Sequence, residues 1–273
     1  MSINDFFKKT IVSINGTKLT KETTNWLLEN KPMGIVLFKN NISTKKQIKQ
    51  LISEIKSLYN PKPLISVDFE GGSVNRFNDI TGYIKPPISQ SDLREFGKIS
   101  GGFLKDLDID INFAPVVDID TGIENNGLKG RYLGKSPSQI IDNATNYLEG
   151  LESIGITGCL KHYPGLGRLK PNTHLNLPEI ENIREDEESI FKELTSEKRL
   201  IMVAHIFIKE FNEISTYSKK LIKRIKTFHK GQIITDDLSM NALKEKDENE
   251  KIKKTLQAGF DIALIRRGYC HKY

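Results

Sequence analysis

Three stretches of the chain hold acids, bases and nucleophiles where local sequence could aim them. The first is "CLKHYPGLGRLKPNTHLNLP", residues 159 to 178, in which Lys161 and His162 close an apolar run, a Pro-Gly-x-Gly turn follows, and His174 sits further along the same loop. A desolvated lysine at a strand end can form a Schiff base in an aldolase, or Lys161 and His162 can donate hydrogen bonds to a bound polyol. His174 has the right group for general acid or base work, because imidazole titrates near neutrality. Taken singly, it is more ordinarily a surface histidine.

The second stretch is "SVDFEGGSVNRF". Asp68 leaves an apolar run, Gly71 and Gly72 permit a tight turn, and Arg76 returns toward it. A carboxylate and a guanidinium so placed can accept from and donate to vicinal sugar hydroxyls, or they can close the loop as a structural pair. The third is "IITDDLSM". Asp236 follows β-branched residues at a strand end, as a nucleophile, a metal ligand or a helix N-cap would; Asp237 is the better candidate for the cap. Arg131 in "GRYLGKS" is a further hydroxyl or acetamido contact, or a surface residue. That segment is not a phosphate loop, because it has three residues between its glycines where four are needed and no preceding strand.

The elements that would carry these residues alternate in kind. Eight short apolar runs read as strands: 10 to 14, 34 to 38, 64 to 67, 111 to 114, 158 to 161, 200 to 204, 232 to 235 and 261 to 265. Between them the period becomes helical, with Ser43 a predicted N-cap for Ile48, Leu51, Ile52, Ile55 and Leu58, and Ser136-Pro137 opening a helix that carries Ile140, Ile141, Ala144, Tyr147, Leu148 and Leu151. Eight strands alternating with helices predict an α/β fold, a closed parallel (β/α)8 TIM-type barrel, with an open doubly wound sheet as the rival. No Pro/Gly/Ser-rich linker interrupts the pattern, so residues 1 to 273 read as one domain. In a barrel, chemistry sits where strands end. Asp68, the Lys161-His162 pair, His205 and the Asp236-Asp237 pair would then share one face.

Composition narrows the classes. The 41 Lys and Arg against 35 Asp and Glu leave a net charge of +6 with both signs abundant, which is a weak footprint for nucleic acid. The most basic run, "SKKLIKRIKTFHKG", carries Leu221, Ile222, Ile225 and Phe228 at helical spacing and reads as a solvated helix face. Two cysteines, Cys159 and Cys270, make no disulfide framework. No run approaches the roughly 18 apolar residues of a membrane span, and the start lacks the plan of a signal peptide, so a cytoplasmic protein is expected. Aromatic residues are only 8% of the chain, and Trp26 lies on an amphipathic stretch, which favours core packing over a sugar-stacking groove.

In order along the chain, "GIVLFKNNI", "SVDFEGGSVNRF", "DIDINFAPVVDID", "GRYLG", "KHYPGLG" with "TH", "MVAH", "ITDDLSM" and "AGFDIALI" resemble glycoside hydrolase family 3, in its bacterial single-barrel β-N-acetylglucosaminidase branch. The resemblance implies a (β/α)8 barrel that removes nonreducing-end N-acetylglucosamine from peptidoglycan fragments with retention of configuration. It implies Asp236 as nucleophile, His174 as a loop-borne acid/base, and Asp68, Arg76, Arg131, Lys161 and His162 as sugar-binding residues. It implies a small amino-sugar or muropeptide substrate and no metal or organic cofactor, since side chains supply the chemistry. The Pro-Gly-x-Gly segment is then expected to bend, bringing His174 over the scissile bond.

Two departures from the family pattern carry expectations of their own. The family motif D-[ST]-H reads Asn172-Thr173-His174 here, and an amide orients an imidazole without neutralising its cation. The expected result is weakened basicity and slower turnover, with a catalytically impaired amino-sugar-binding barrel as the alternative. The eight residues "RRGYCHKY" after the last predicted strand are too few for a full eighth helix, so one flank is expected to have less cover.

Overall fold

The computed structural model describes residues 6–124, 127–170, 177–243 and 247–266. Eight parallel strands set the frame: β1 (Thr10–Ser13), β2 (Gly34–Leu37), β3 (Leu64–Val67), β4 (Ile111–Asn112), β5 (Cys159–Tyr163), β6 (Leu200–Val203), β7 (Ile233–Thr235) and β8 (Ala263–Ile265). Each expected strand is present, with ends shifted by at most two residues. Between consecutive strands run α1 (Lys21–Asn30), α2 (Lys45–Ser57), α3 (Leu93–Asp106), α4 (Pro137–Ser153), α5 (Glu185–Glu193), α6 (Lys219–Phe228) and α7 (Glu248–Ala258).

The strands pair as a five-stranded sheet in the order β8-β1-β2-β3-β4 and a three-stranded sheet in the order β7-β6-β5. Parallel bridges Ile111↔Thr157 and Val116↔Lys161 run between the β4 and β5 segments, and Ile234↔Ile262 between those of β7 and β8.

Local chemistry accounts for the helix ends. Ser136 accepts from the Gln139 amide with Pro137 in the first turn, as expected. The α2 cap is Thr44, which accepts from the Gln47 amide, rather than the expected Ser43; Ser43 instead donates its amide to the Gln47 side chain. The basic run forms α6, with Leu221, Ile222 and Ile225 buried and its lysines outward. Trp26 is partly buried on α1, edge-on to Phe7 at 5.3 Å.

Strand side chains alternate between two apolar layers. Ile11, Val36, Ile111, Phe113, Cys159, Leu200, Met202, Ile234, Ile262 and Leu264 form an inner cluster, with Leu64 packed against it. Intervening residues such as Val12, Ile35, Ile65, Leu160, Ile201 and Ile233 join the larger core that includes the helices. The period of two then fixes where the polar residues go. Stepping forward by two leads from Val36 to Phe38, from Ser66 to Asp68, from Cys159 to Lys161, from Ile234 to Asp236 and from Leu264 to Arg266. Side chains at the carboxyl ends of five strands therefore continue the inner register. Residues 267–273 and any element formed there lie outside the described residues.

Candidate active site

Those five residues meet at one cavity of about 310 Å³, lined also by Val74, Arg76, Phe113, Gly127, Arg131, His162, Met202, Asp237 and Leu264. Six of the eight residues expected at the site, Asp68, Arg76, Arg131, Lys161, His162 and Asp236, thus line one pocket. The other two, Asn172 and His174, lie outside the described residues.

The floor is a chain of buried charges. Lys161 Nζ stands 2.9 Å from Asp68 Oδ1 and 2.6 Å from Glu70 Oε1. Arg76 Nη2 donates to Asp68 Oδ2 at 2.9 Å, and Arg131 grips Glu70 with Nε and Nη2 at 2.8 and 2.9 Å. Burial alone would raise the Asp68 carboxyl, but Lys161 and Arg76 overcome it and hold it well below the usual carboxylate range. Glu70 is likewise lowered, with burial opposed by Arg131 and Lys161. Burial would lower Lys161, yet Asp68 and Glu70 hold it above an ordinary lysine. Lys161 is therefore an ammonium at neutral pH and lacks the free amine a Schiff-base aldolase requires.

His162 is set by Asp118, which was not singled out in the sequence. Asp118 Oδ2 lies 2.8 Å from His162 Nδ1 and accepts the His162 amide at 3.2 Å. His162 also lines the cavity, so this carboxylate fixes the orientation of a ring that faces the ligand space. Asp118 Oδ1 takes the Leu166 amide at 2.6 Å, tying the following loop to the same carboxylate.

That loop is not the bendable segment its glycines suggest. Pro164 to Gly167 is buried, and a Cβ on Gly167 would overlap the Ile119 carbonyl oxygen. Gly165 has φ +141°, and a Cβ there would come 2.8 Å from Glu187 Cδ. Thr121 Oγ1 donates to the Gly167 carbonyl at 2.7 Å, and Arg168 reaches Asp186 at 2.6 Å and Glu187 at 3.2 Å. The glycines serve close packing, so the segment leading to residues 171–176 is an anchored root. Glu187 is 7% exposed. Burial pushes its carboxyl up to about 7, opposed by Arg168 and reinforced by Asp118 and Asp186.

On the β7 side, Asp236 Oδ1 accepts the Asp237 amide at 2.8 Å, and the Asp236 amide donates to the Val203 carbonyl at 2.8 Å. Asp237 does not cap a helix, because Leu238 to Leu243 is not helical. Its carboxylate accepts the Ser239 amide and hydroxyl and the Arg266 amide, bracing the turn after β7 against the end of β8. His205, expected on the open face, is fully buried behind this turn. Its ring nitrogens contact Thr216 Oγ1 at 2.6 Å and the Asp237 carbonyl at 2.9 Å, so it supports the wall without lining the cavity. Burial lowers its pKa, against the pull of Asp236 and Asp237.

Glu70, Asp118, Phe38 and Arg266 complete the site and were missed. Glu70 had a usable signal, being two residues beyond Asp68 in one extended run; Asp118 becomes visible only through a contact 44 residues away. Among the described residues no group of three or more His, Cys, Asp or Glu could hold a metal ion, and no helix is long and apolar enough to cross a membrane.

Comparison with known proteins gives the family. The glycosyl hydrolase family 3 N terminal domain matches residues 7–273. The chain is 30% identical to the beta-hexosaminidase of Idiomarina loihiensis over 276 residues, covering 93% of this chain and 82% of that protein. It is 31% identical to the beta-hexosaminidase of Glaesserella parasuis over 274 residues, covering 93% and 79%. Native NagZ from Neisseria gonorrhoeae superposes with a TM-score of 0.84 at 28% identity, over 95% of this chain and 81% of that one. The same protein in complex with N-trifluoroacetyl-D-glucosamine gives 0.84 at 27%, with the same coverage. An α/β fold with its polar residues gathered at the strand ends, and a family match across nearly its whole length, mean that the chain belongs to glycosyl hydrolase family 3.

Proposed function

We propose that this protein is a cytoplasmic, retaining exo-β-N-acetylglucosaminidase that removes nonreducing-end N-acetylglucosamine from peptidoglycan fragments. The observation that carries the reading is the cavity itself: the Asp236 carboxylate shares about 310 Å³ with Asp68, Arg76, Arg131, Lys161 and His162. That volume lies at the lower end of the range of about 300–1,000 Å³ for ligand pockets, which suits one sugar ring rather than a bound polymer. The bound amino-sugar analogue of the gonococcal NagZ supports an amino sugar as the ligand. A closed (β/α)8 barrel forming a single domain fits the eight-strand order, the bridges between the two sheets and the inner apolar cluster.

The chemistry is double displacement. Asp236 attacks the anomeric carbon while His174 protonates the glycosidic oxygen, so the aglycone leaves as an alcohol and a glycosyl ester remains on Asp236. Water then attacks the same carbon as His174 takes its proton, and Asp236 departs as carboxylate. The charged floor would hold the sugar hydroxyls and acetamido group. Asn172, in the place of the family aspartate, orients His174 with less stabilisation of its cation. No step calls on a metal or organic cofactor.

An aryl N-acetyl-β-glucosaminide tests this reading. The wild-type chain should release the chromophore and Asp236→Asn should not. Tight sugar binding by a wild-type chain that releases none would instead identify an amino-sugar-binding protein, the reading Asn172 favours. Equal release from both forms would remove Asp236 from the mechanism.

A further inference from the structure

We infer that Arg266, stacked on Phe38 at the rim of the cavity, is a specificity-determining residue that binds a carboxylate on the aglycone. This rests on the glycosidase reading above and adds the chemical class of the leaving group. The cations of the floor are already engaged: Lys161 by Asp68 and Glu70, Arg131 by Glu70, and Arg76 by Asp68. Arg266 also lines the cavity but is exposed, and among the described residues its guanidinium has no carboxylate within ion-pair distance.

Its position is fixed all the same. The Arg266 amide donates to Asp237 Oδ1 at 2.8 Å, and its guanidinium carbon stands 4.8 Å from the centre of the half-buried Phe38 ring. Arg76 approaches the same ring at 5.4 Å. A guanidinium lying on an aromatic face keeps its donor fork available and loses less side-chain freedom when an anion binds. In an exo-acting enzyme the buried floor takes the terminal sugar, and the leaving group extends through the mouth. A cation at the rim therefore meets the aglycone. Arg266 also stands next in the inner register to Leu264, so the strand that builds the wall delivers the charge.

Hydrolysis of phenyl and 4-carboxyphenyl N-acetyl-β-glucosaminides by the full chain and by Arg266→Gln tests the assignment through the ratio of kcat/KM for the two substrates. Taken as 4-carboxyphenyl over phenyl and compared between wild type and variant, that ratio cancels the difference in leaving-group reactivity. It should fall about three- to tenfold in Arg266→Gln, the scale of one partly exposed charge-assisted contact. Arg266→Lys should recover part of it, and about 0.5 M salt should narrow the gap between wild type and variant. An unchanged ratio, including an equal loss on both substrates, would overturn the inference. The corresponding phenyl and 4-carboxyphenyl thioglycosides, titrated by calorimetry, give the same comparison without turnover. A chain that hydrolyses neither glycoside contradicts the glycosidase reading, and the thioglycoside affinity ratio still decides for or against Arg266.

Discussion

Asp118 Oδ2 lies 2.8 Å from His162 Nδ1, so one buried carboxylate orients a cavity-lining ring. Its other oxygen takes the Leu166 amide at 2.6 Å, which couples that ring to the root of the following loop. An amide cannot accept at both positions, because its NH2 would face one of these donors. Asp118→Asn should lower kcat/KM roughly ten- to a hundredfold, the scale of a buried donor left without its acceptor. Steady-state kinetics on an aryl N-acetylglucosaminide check this. Kinetics like the wild type would mean that Asp118 does not position His162.

Glu70 ties Lys161 to Arg131 inside the floor, with a 1% exposed side chain. Glu70→Gln leaves two buried cations facing a neutral amide. Breaking a buried ion pair on one side typically costs about 3–5 kcal/mol, which corresponds to a fall in Tm of roughly 10 °C for a chain of this size. Thermal unfolding measures it. The KM for the sugar should rise in the same variant, because Lys161 and Arg131 lose their shared anchor.

Glu187 gives a pH dependence of definite sign. Its folded-state carboxyl is pushed up to about 7 from 4.5, chiefly by burial. The native state therefore holds this proton more tightly than the unfolded chain, and Glu187 contributes a loss of stability as pH rises through that window. The groups facing it are Arg168, Asp118, Asp186 and Arg184. Glu187→Gln should match wild type below about pH 4.5 and exceed it above about pH 7, by at most about 3 kcal/mol. The difference between the two Tm-against-pH curves isolates this residue; a flat difference would contradict the assignment.

Restoring the family motif by Asn172→Asp should raise kcat. The added carboxylate would stabilise the imidazolium of His174, and a gain of about tenfold is modest against the usual worth of general acid/base catalysis. Single-substrate kinetics would show it, with a shift in the pH profile as the accompanying sign. No gain would mean that Asn172 does not limit the step.

The strands were legible because fully buried parallel strands read as short unbroken apolar runs, and four of them run into a charged residue on the inner register. That made Asp68, Lys161 and Asp236 visible from one dimension. The partners that set their charge state were not, because Lys161 meets Asp68 across 93 residues and Arg131 meets Glu70 across 61. Local pattern also misled. Gly165 and Gly167 looked like flexibility, but one avoids Glu187 and the other the Ile119 backbone. Asp237 looked like a helix cap, but it binds the end of a neighbouring strand through Arg266.

The role of Asp236 is tested most directly by covalent trapping. Incubation with a 5-fluoro N-acetylglucosaminyl fluoride, whose electron-poor ring slows turnover of the glycosyl-enzyme, followed by mass spectrometry of peptides, should place one added sugar on Asp236. Asp236→Asn should remain unlabelled. A sugar attached to another side chain, or wild-type turnover persisting in Asp236→Asn, would contradict the account.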